Sequence, residues 1–199
     1  MEQQRRAARR QLEDRYEVRL AGEGGQGMIL AGVILAEAAA VYDGLNATQT
    51  QSYGPEARGG ASRSEVIIAR GEIDYPKVMA ADLLLCMSQE ACDRFYEQVA
   101  EEGIIVVDSG NVSRIPSHRA LAVPISLMAE QETGRRITAS IFALGLIGGL
   151  TDVVSQQALE RAVAQRVPAG TEEINLKAVA AGITEGRRLK DTLAAPPHS

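Results

Sequence analysis

Two short glycine-rich stretches hold the residues of this sequence whose types and spacing could do chemistry. Gly22-Glu23-Gly24-Gly25-Gln26-Gly27 carries the spacing G-x-G-x-x-G at positions 22, 24 and 27. Glycines let a backbone turn sharply and approach a ligand, and the free N–H groups at a helix start favour an anion. A phosphate, a pyrophosphate or a carboxylate would suit such a turn, and the Gln26 amide could add a directional hydrogen bond. The same glycines would equally serve close strand-to-helix packing, and the motif alone does not choose. The second stretch, Ser52-Tyr53-Gly54-Pro55-Glu56-Ala57-Arg58-Gly59-Gly60, alternates rigid turn residues with Tyr53, Glu56 and Arg58. Arg58 has the forked guanidinium that holds a phosphate or a carboxylate, or Glu56 itself. An isolated surface pair would contribute at most ~1 kcal/mol, but the glycines and the aromatic around this one favour a loop that positions something.

The elements that must hold these loops follow from hydrophobic period. Tyr16 to Ala21 alternates as a strand, and Gln26 to Val41 has apolar residues at 30, 31, 34, 35 and 38 in helical spacing. The glycine turn thus follows a strand and opens a helix, the context in which the motif has meaning. Asn46–Gln51 and Ser64–Ala69 read as strands, the first placed next to the opening strand so that both loops face one crevice. The apolar run Asp82–Met87 reads as a strand covered on both faces, with Ser88 capping a helix to about Glu102 that Gly103 closes. Ile104–Asp108 and Ala120–Val123 are strands, and helices follow over Ile125–Glu132, Ile137–Leu150, Ser155–Val163 and Glu172–Thr192. Alternating strands and helices predict an α/β fold, a Rossmann-like open and mostly parallel sheet with helices on both faces and a helical carboxyl-terminal third. The domain spans 16–192, between a charged extension over 1–15 and a tail over 193–199.

Composition narrows the chemistry. Two cysteines (Cys86, Cys92) and two histidines (His118, His198) are too few for zinc, haem or an iron–sulfur cluster, so no metal site is expected. The cysteine spacing fits neither a redox CxxC pair nor a disulfide framework and reads as two buried thiols. A formal charge of −5 gives no reason to expect nucleic acid. Ser140–Leu150, the longest apolar stretch, is too short to span a bilayer, and the charged first 15 residues lack a secretory signal, so a cytoplasmic protein is expected. Asp108-Ser109-Gly110-Asn111 reads as turn chemistry, His118 as a loop residue, and Leu144–Gly149 as close helix packing or a subunit contact. No nucleophile elbow, P-loop lysine or Cys/His pair is present, and no catalytic residue is assigned. A nicotinamide dinucleotide would need an acid at the end of the second strand, which here reads Thr48-Gln-Thr-Gln51. That counts against a stand-alone dinucleotide- or flavin-binding module, the principal alternative.

Taken together, Gly22–Gly27 leading into Met28–Glu37, then Gln51–Ser62, Glu72-Ile-Asp-Tyr-Pro76, Asp82–Ser88 and Glu173-Ile-Asn-Leu-Lys-Ala178 resemble the gamma subunit of 2-oxoacid:ferredoxin oxidoreductases, of the 2-oxoglutarate type. Branched-chain and pyruvate types of the same family are the neighbouring readings, and Thr138–Gly145 departs from the family pattern. The resemblance implies an enzyme subunit in a complex that turns a 2-oxoacid and coenzyme A into an acyl-CoA and carbon dioxide with reduction of ferredoxin, or runs the reverse carboxylation. It implies alpha, beta and ferredoxin-like delta partner subunits that carry thiamine diphosphate, magnesium and the iron–sulfur clusters, with no cofactor bound by this chain alone. It also implies that Gly22, Gly24, Gly25, Gln26, Gly27, Tyr53, Glu56, Arg58, Gly59 and Gly60 line the coenzyme A edge or a subunit interface. A pure scaffold that only joins the other subunits is the blander alternative.

Overall fold

The computed structural model describes residues 15–52, 61–115 and 120–194, so all but Arg15 of the expected extension, the tail from residue 195, His118 and the loop over 53–60 lie outside the described residues. Six strands form one sheet: β1 (Arg15–Glu23), β2 (Asn46–Ser52), β3 (Ala61–Ala69), β4 (Ala81–Cys86), β5 (Val99–Asp108) and β6 (Ala120–Val123), in the order β2-β3-β1-β4-β5-β6. Their pairings are parallel from β1 through β4 and β5 to β6. The pairings of β3 with β1 and β2 are antiparallel. The fold is α/β with a mostly parallel sheet, as the sequence implied. One placement differs: β2 is not beside β1. Only the segment 53–60 joins β2 to β3, too short for a crossover helix, so β3 must turn back and takes the place next to β1.

Helix α1 (Met28–Glu37) runs into a wider turn at Ala38–Tyr42. Helix α2 is Gln89–Phe95, α3 Ile125–Thr133, α4 Ala139–Thr151, α5 Gln156–Arg166 and α6 Glu172–Ala194. The single-residue alternation of the central strands divides their side chains between two layers. Val18, Leu20, Val66, Ile68, Leu83, Leu85 and Val106 meet α1 and α3 to α6. Ala21, Leu84, Cys86, Ile105 and Val107 meet α2 alone. On that thinner side Arg19 and Glu65, paired across β1 and β3, form a buried ion pair of 2.7–2.8 Å. The Arg19 guanidinium also lies 5.5 Å from the centre of the Phe95 ring of α2.

The helix expected from Ser88 to Glu102 is shorter. Ser88 caps it, its hydroxyl accepting from Ala91 N–H. After a single tight turn at Tyr96–Gln98, β5 begins at Val99 rather than at Ile104. Gly103 therefore sits inside a strand, not at a helix end. The β4–β5 register shifts between Ala81 and Leu83, and a Cβ at Gly103 would press on the Val99 side chain and the Ala81 carbonyl. This is the position of a bulge, where glycine admits a close backbone.

The carboxyl-terminal third is organised by two helices that touch backbone to backbone. A Cβ at Gly145 or Gly149 of α4 would collide with the carbonyls of Val179 and Ile183, and one at Gly182 or Gly186 of α6 with those of Phe142 and Leu146. The small residues of Leu144–Gly149 imply close packing, and the partner they pack on is α6 of the same chain. Gly149→Ala is expected to lower the unfolding free energy by about 2–3 kcal/mol, because a rigid carbonyl faces the added methyl. Gly71→Ala, with nothing within 4 Å, is the control. Equal urea midpoints for the two variants would refute the contact.

Candidate functional site

The carboxyl ends of β1, β4, β5 and β6 share one edge of the sheet, where open α/β folds leave a crevice. The glycine turn stands at the centre of it. Gln26 N–H donates to Glu23 O at 3.2 Å, closing a four-residue turn with Gly25 at φ +91° in the third place, a conformation that favours glycine. Gly27, at φ +78°, caps α1, and a Cβ there would lie 2.7 Å from Ser140 Oγ of α4. Gly24 and Gly25 differ: Cβ atoms at either would meet nothing within 4 Å. Gly25 needs its glycine for conformation, and only Gly24 has both ordinary geometry and open space.

Gln26 does not reach outward. Its Oε1 accepts from Glu23 N–H at 2.7 Å and its Nε2 donates to Met87 O at 3.1 Å, while Met87 N–H donates to Ala21 O at 2.8 Å. The side chain is a brace between the turn and the end of β4, and Gly22 is glycine because a Cβ would strike that same Gln26 oxygen. Both ends of the Gln26 amide are thus engaged within the chain. Among the described residues, nothing lies within 4 Å of where a Cβ at Gly24 or Gly25 would stand.

The second loop's residues Tyr53, Glu56, Arg58, Gly59 and Gly60 lie outside the described residues, but both of its ends are placed. Ala61 pairs with Glu23 across β3 and β1, and Ser52 pairs with Arg63 across β2 and β3. The loop is therefore anchored at the same edge as the glycine turn, although through β3 and not through an adjacent β2. Two residues that sequence reasoning missed fix that anchor. Ser62 Oγ donates to Gly22 O at 3.1 Å and approaches Glu23 O at 3.4 Å, and Ala61 N–H donates to Glu90 Oε1 of α2 at 3.2 Å. Their signal was present but faint, a serine beginning a strand and an acid in the first turn of a helix.

The neighbouring groups are already paired. Asp108, fully buried, accepts from Ser126 Oγ at 2.5 Å and Asn111 Nδ2 at 2.7 Å, and Gly110 N–H reaches it at 3.3 Å. It is a turn lock between β5 and α3, as Asp-Ser-Gly-Asn implied. Cys86 and Cys92 are both buried and adjacent; the Cys86 thiol is pushed up by its hydrogen bond to Cys92 and by burial. Among the described residues no three His, Cys, Asp or Glu side chains converge as a metal site. The residues present do not fit an iron–sulfur cluster. No helix among them is long and apolar enough to cross a membrane. A cavity of about 450 Å³ opens at the opposite, amino edge. There Asp43 is occupied by the Ser155 N–H and hydroxyl, and Arg15 by Glu17 and two carbonyls.

With this geometry in place, comparison with known proteins gives it a family. Residues 17–185 match the model of the pyruvate ferredoxin/flavodoxin oxidoreductase family. The chain belongs to this family. It is 46% identical over 185 residues to the 2-oxoglutarate synthase subunit KorC of Methanocaldococcus jannaschii, covering 91% of this chain and 99% of that protein. The gamma subunit of a keto/oxoacid ferredoxin oxidoreductase from Geobacter sulfurreducens superposes with a TM-score of 0.80 at 48% identity, over 87% of this chain and 97% of that one. A 2-oxoglutarate:ferredoxin oxidoreductase from Magnetococcus marinus, solved with 2-oxoglutarate, coenzyme A and succinyl-CoA bound, shares the fold at TM-score 0.77 and 22% identity. It does so over 92% of this chain but 32% of its own, so in that protein the same fold is one part of a longer chain.

The oxidoreductase family fold also removes the geometric basis of a dinucleotide reading. The acid that holds a ribose belongs at the end of a parallel strand beside β1, and the strand on that side, β3, runs the other way. The braced turn sets a direct test of its parts. Gly24→Ala is expected to leave the thermal midpoint within ~1 °C, while Gly27→Ala lowers it by several degrees, the shift that about 1 kcal/mol produces in a domain of this size. A Gly24→Ala variant as unstable as Gly27→Ala would show that the outer side of the turn is not open.

Proposed function

We propose that this chain is the gamma subunit of a 2-oxoglutarate:ferredoxin oxidoreductase, and that its glycine turn and second loop form the coenzyme A edge of the assembled enzyme. The observation that carries the substrate assignment is the end-to-end 46% identity to a 2-oxoglutarate synthase subunit. The complex converts 2-oxoglutarate and coenzyme A to succinyl-CoA and carbon dioxide with reduction of ferredoxin, or runs in reverse. Alpha, beta and ferredoxin-like delta subunits in the cytoplasm are its partners. Thiamine diphosphate with magnesium supplies the carbanion chemistry and iron–sulfur clusters the electron path, both on those partners. This chain's own part is binding and orientation. The backbone N–H groups of Gly24 and Gly25, with Arg58, suit the phosphates of coenzyme A. Tyr53, Glu56, Gly59 and Gly60 complete that edge or meet a partner subunit. Ile137, 81% exposed, and Leu127, 50% exposed, flank the Asn111 hydrogen bonds to Arg136 and Ser126 on the same edge. Apolar side chains so placed favour a covering subunit.

The experiment is steady-state kinetics on the reconstituted complex. Arg58→Ala should raise the KM for coenzyme A about tenfold or more, the factor a lost charge-assisted hydrogen bond carries. The KM for 2-oxoglutarate should hold. An unchanged coenzyme A KM in a normally assembled complex would remove Arg58 from the site. If the loops serve only as scaffold, the same substitution would impair assembly and leave coenzyme A kinetics alone. Titration of the full chain with NAD and FAD should give no saturable heat.

A further inference from the structure

The peptide units of the glycine turn are held on one side only. The Gly22–Glu23 peptide is gripped at both ends: its carbonyl accepts from Ser62 Oγ at 3.1 Å and its N–H donates to Gln26 Oε1 at 2.7 Å. The carbonyl of the next peptide, Glu23–Gly24, accepts from Gln26 N–H at 3.2 Å, with Ser62 Oγ again close at 3.4 Å. A trans peptide is planar and carries its N–H opposite its carbonyl. With the Glu23 carbonyl fixed toward Gln26 and Ser62, the Gly24 N–H is turned the other way, away from both. Ser62 is 5% exposed and cannot itself touch a ligand of ordinary size on that side. Its own place is fixed by the β1–β3 register, Gly22 opposite Ser62, and by the Ala61 N–H bond to Glu90 of α2.

We propose that Ser62, steadied by Glu90, is a positioning residue that aims the Gly24 N–H at an anionic group of the bound cosubstrate. This rests on the coenzyme A reading above and adds to it the origin of the turn's orientation. Without the hydroxyl, the Gly22 carbonyl loses that donor and the Glu23 carbonyl is left to the Gln26 N–H. The two glycines that follow let the Glu23–Gly24 peptide tilt about that remaining bond. The N–H donor is then present but misdirected, which costs affinity without touching the chemistry on the partner subunits.

The test is kinetic and uses the whole complex. Ser62→Ala should raise the KM for coenzyme A about 3- to 10-fold, the factor of one neutral hydrogen bond. It should leave kcat and the KM for 2-oxoglutarate within about twofold, as expected when only binding is lost. Ser62→Thr, which keeps the hydroxyl, should restore the coenzyme A KM to near the wild-type value. Should Ser62→Ala fail to assemble, Glu90→Ala, at an exposed position, provides the same readout with a smaller rise in the same constant. Unchanged coenzyme A KM in an assembled Ser62→Ala complex, or an equal rise in Ser62→Thr, overturns the positioning role. Gly24→Ala separates the two ideas. If it raises the coenzyme A KM while Ser62→Ala does not, the site stands and the role of Ser62 falls. If neither they nor Arg58→Ala change it, the coenzyme A reading itself falls.

Discussion

The structure depends on one close approach, the crossing of α4 and α6 with backbone against backbone. Glycines on each helix face carbonyls on the other, and no side chain could stand between them. Helix separation is set by the residues at the contact, so this crossing draws α4 against α6 and into the layer over the sheet, where Phe142, Leu146, Val179 and Ile183 share one core with the β1 residues Val18 and Leu20. The first turn of α4 then meets the glycine turn, where Ser140 leaves Gly27 no room for a side chain. A constraint buried in the carboxyl-terminal third thus reaches the glycine turn at the carboxyl edge of the sheet through a single serine.

The second constraint is polar. Short hydrogen bonds from Gln26, Ser62 and Met87 bind three distant segments of chain around the turn, and each uses a backbone group on at least one side. Such bonds are individually modest. Together they fix the turn from the side of β3 and of the end of β4. Among the described residues, the two thiols are buried together and the Asp108 carboxylate near the edge is already satisfied.

Much of this is legible in the amino-acid sequence alone. The strand, glycine turn and helix at 16–41 follow from hydrophobic period and from glycine chemistry, both local properties. Sequence reasoning sets β2 beside β1, whereas the ends of the second loop, Ser52 and Ala61, reach the glycine turn's edge through β3. Strand neighbours are decided by pairing partners far apart in sequence, and the short 53–60 connection, which forces β3 to reverse, is the available clue. The overlong helix from Ser88 fails for a related reason: Val99 to Glu102 carry mixed propensity, and the pairing of Val99 with Ala81 of β4 draws them into the strand. Gln26 shows the limit at the level of a single side chain. Its type says that it will hydrogen-bond, and only the fold says that both ends of the amide are turned inward.

The place of β1 has a kinetic side. It precedes every other strand in the chain, yet it lies inside the sheet, between β3 and β4. A central strand cannot be laid down last against a finished edge. β1 must wait, unpaired, for partners that follow it in sequence, and non-local pairings of this kind slow the search for the native state. The glycine turn, braced from β3 and from the end of β4, takes its working shape only when that wait is over. The braced form of the turn is thus a late product of folding in this chain, and a nascent chain released before Met87 has formed would hold the motif in its sequence without holding its shape.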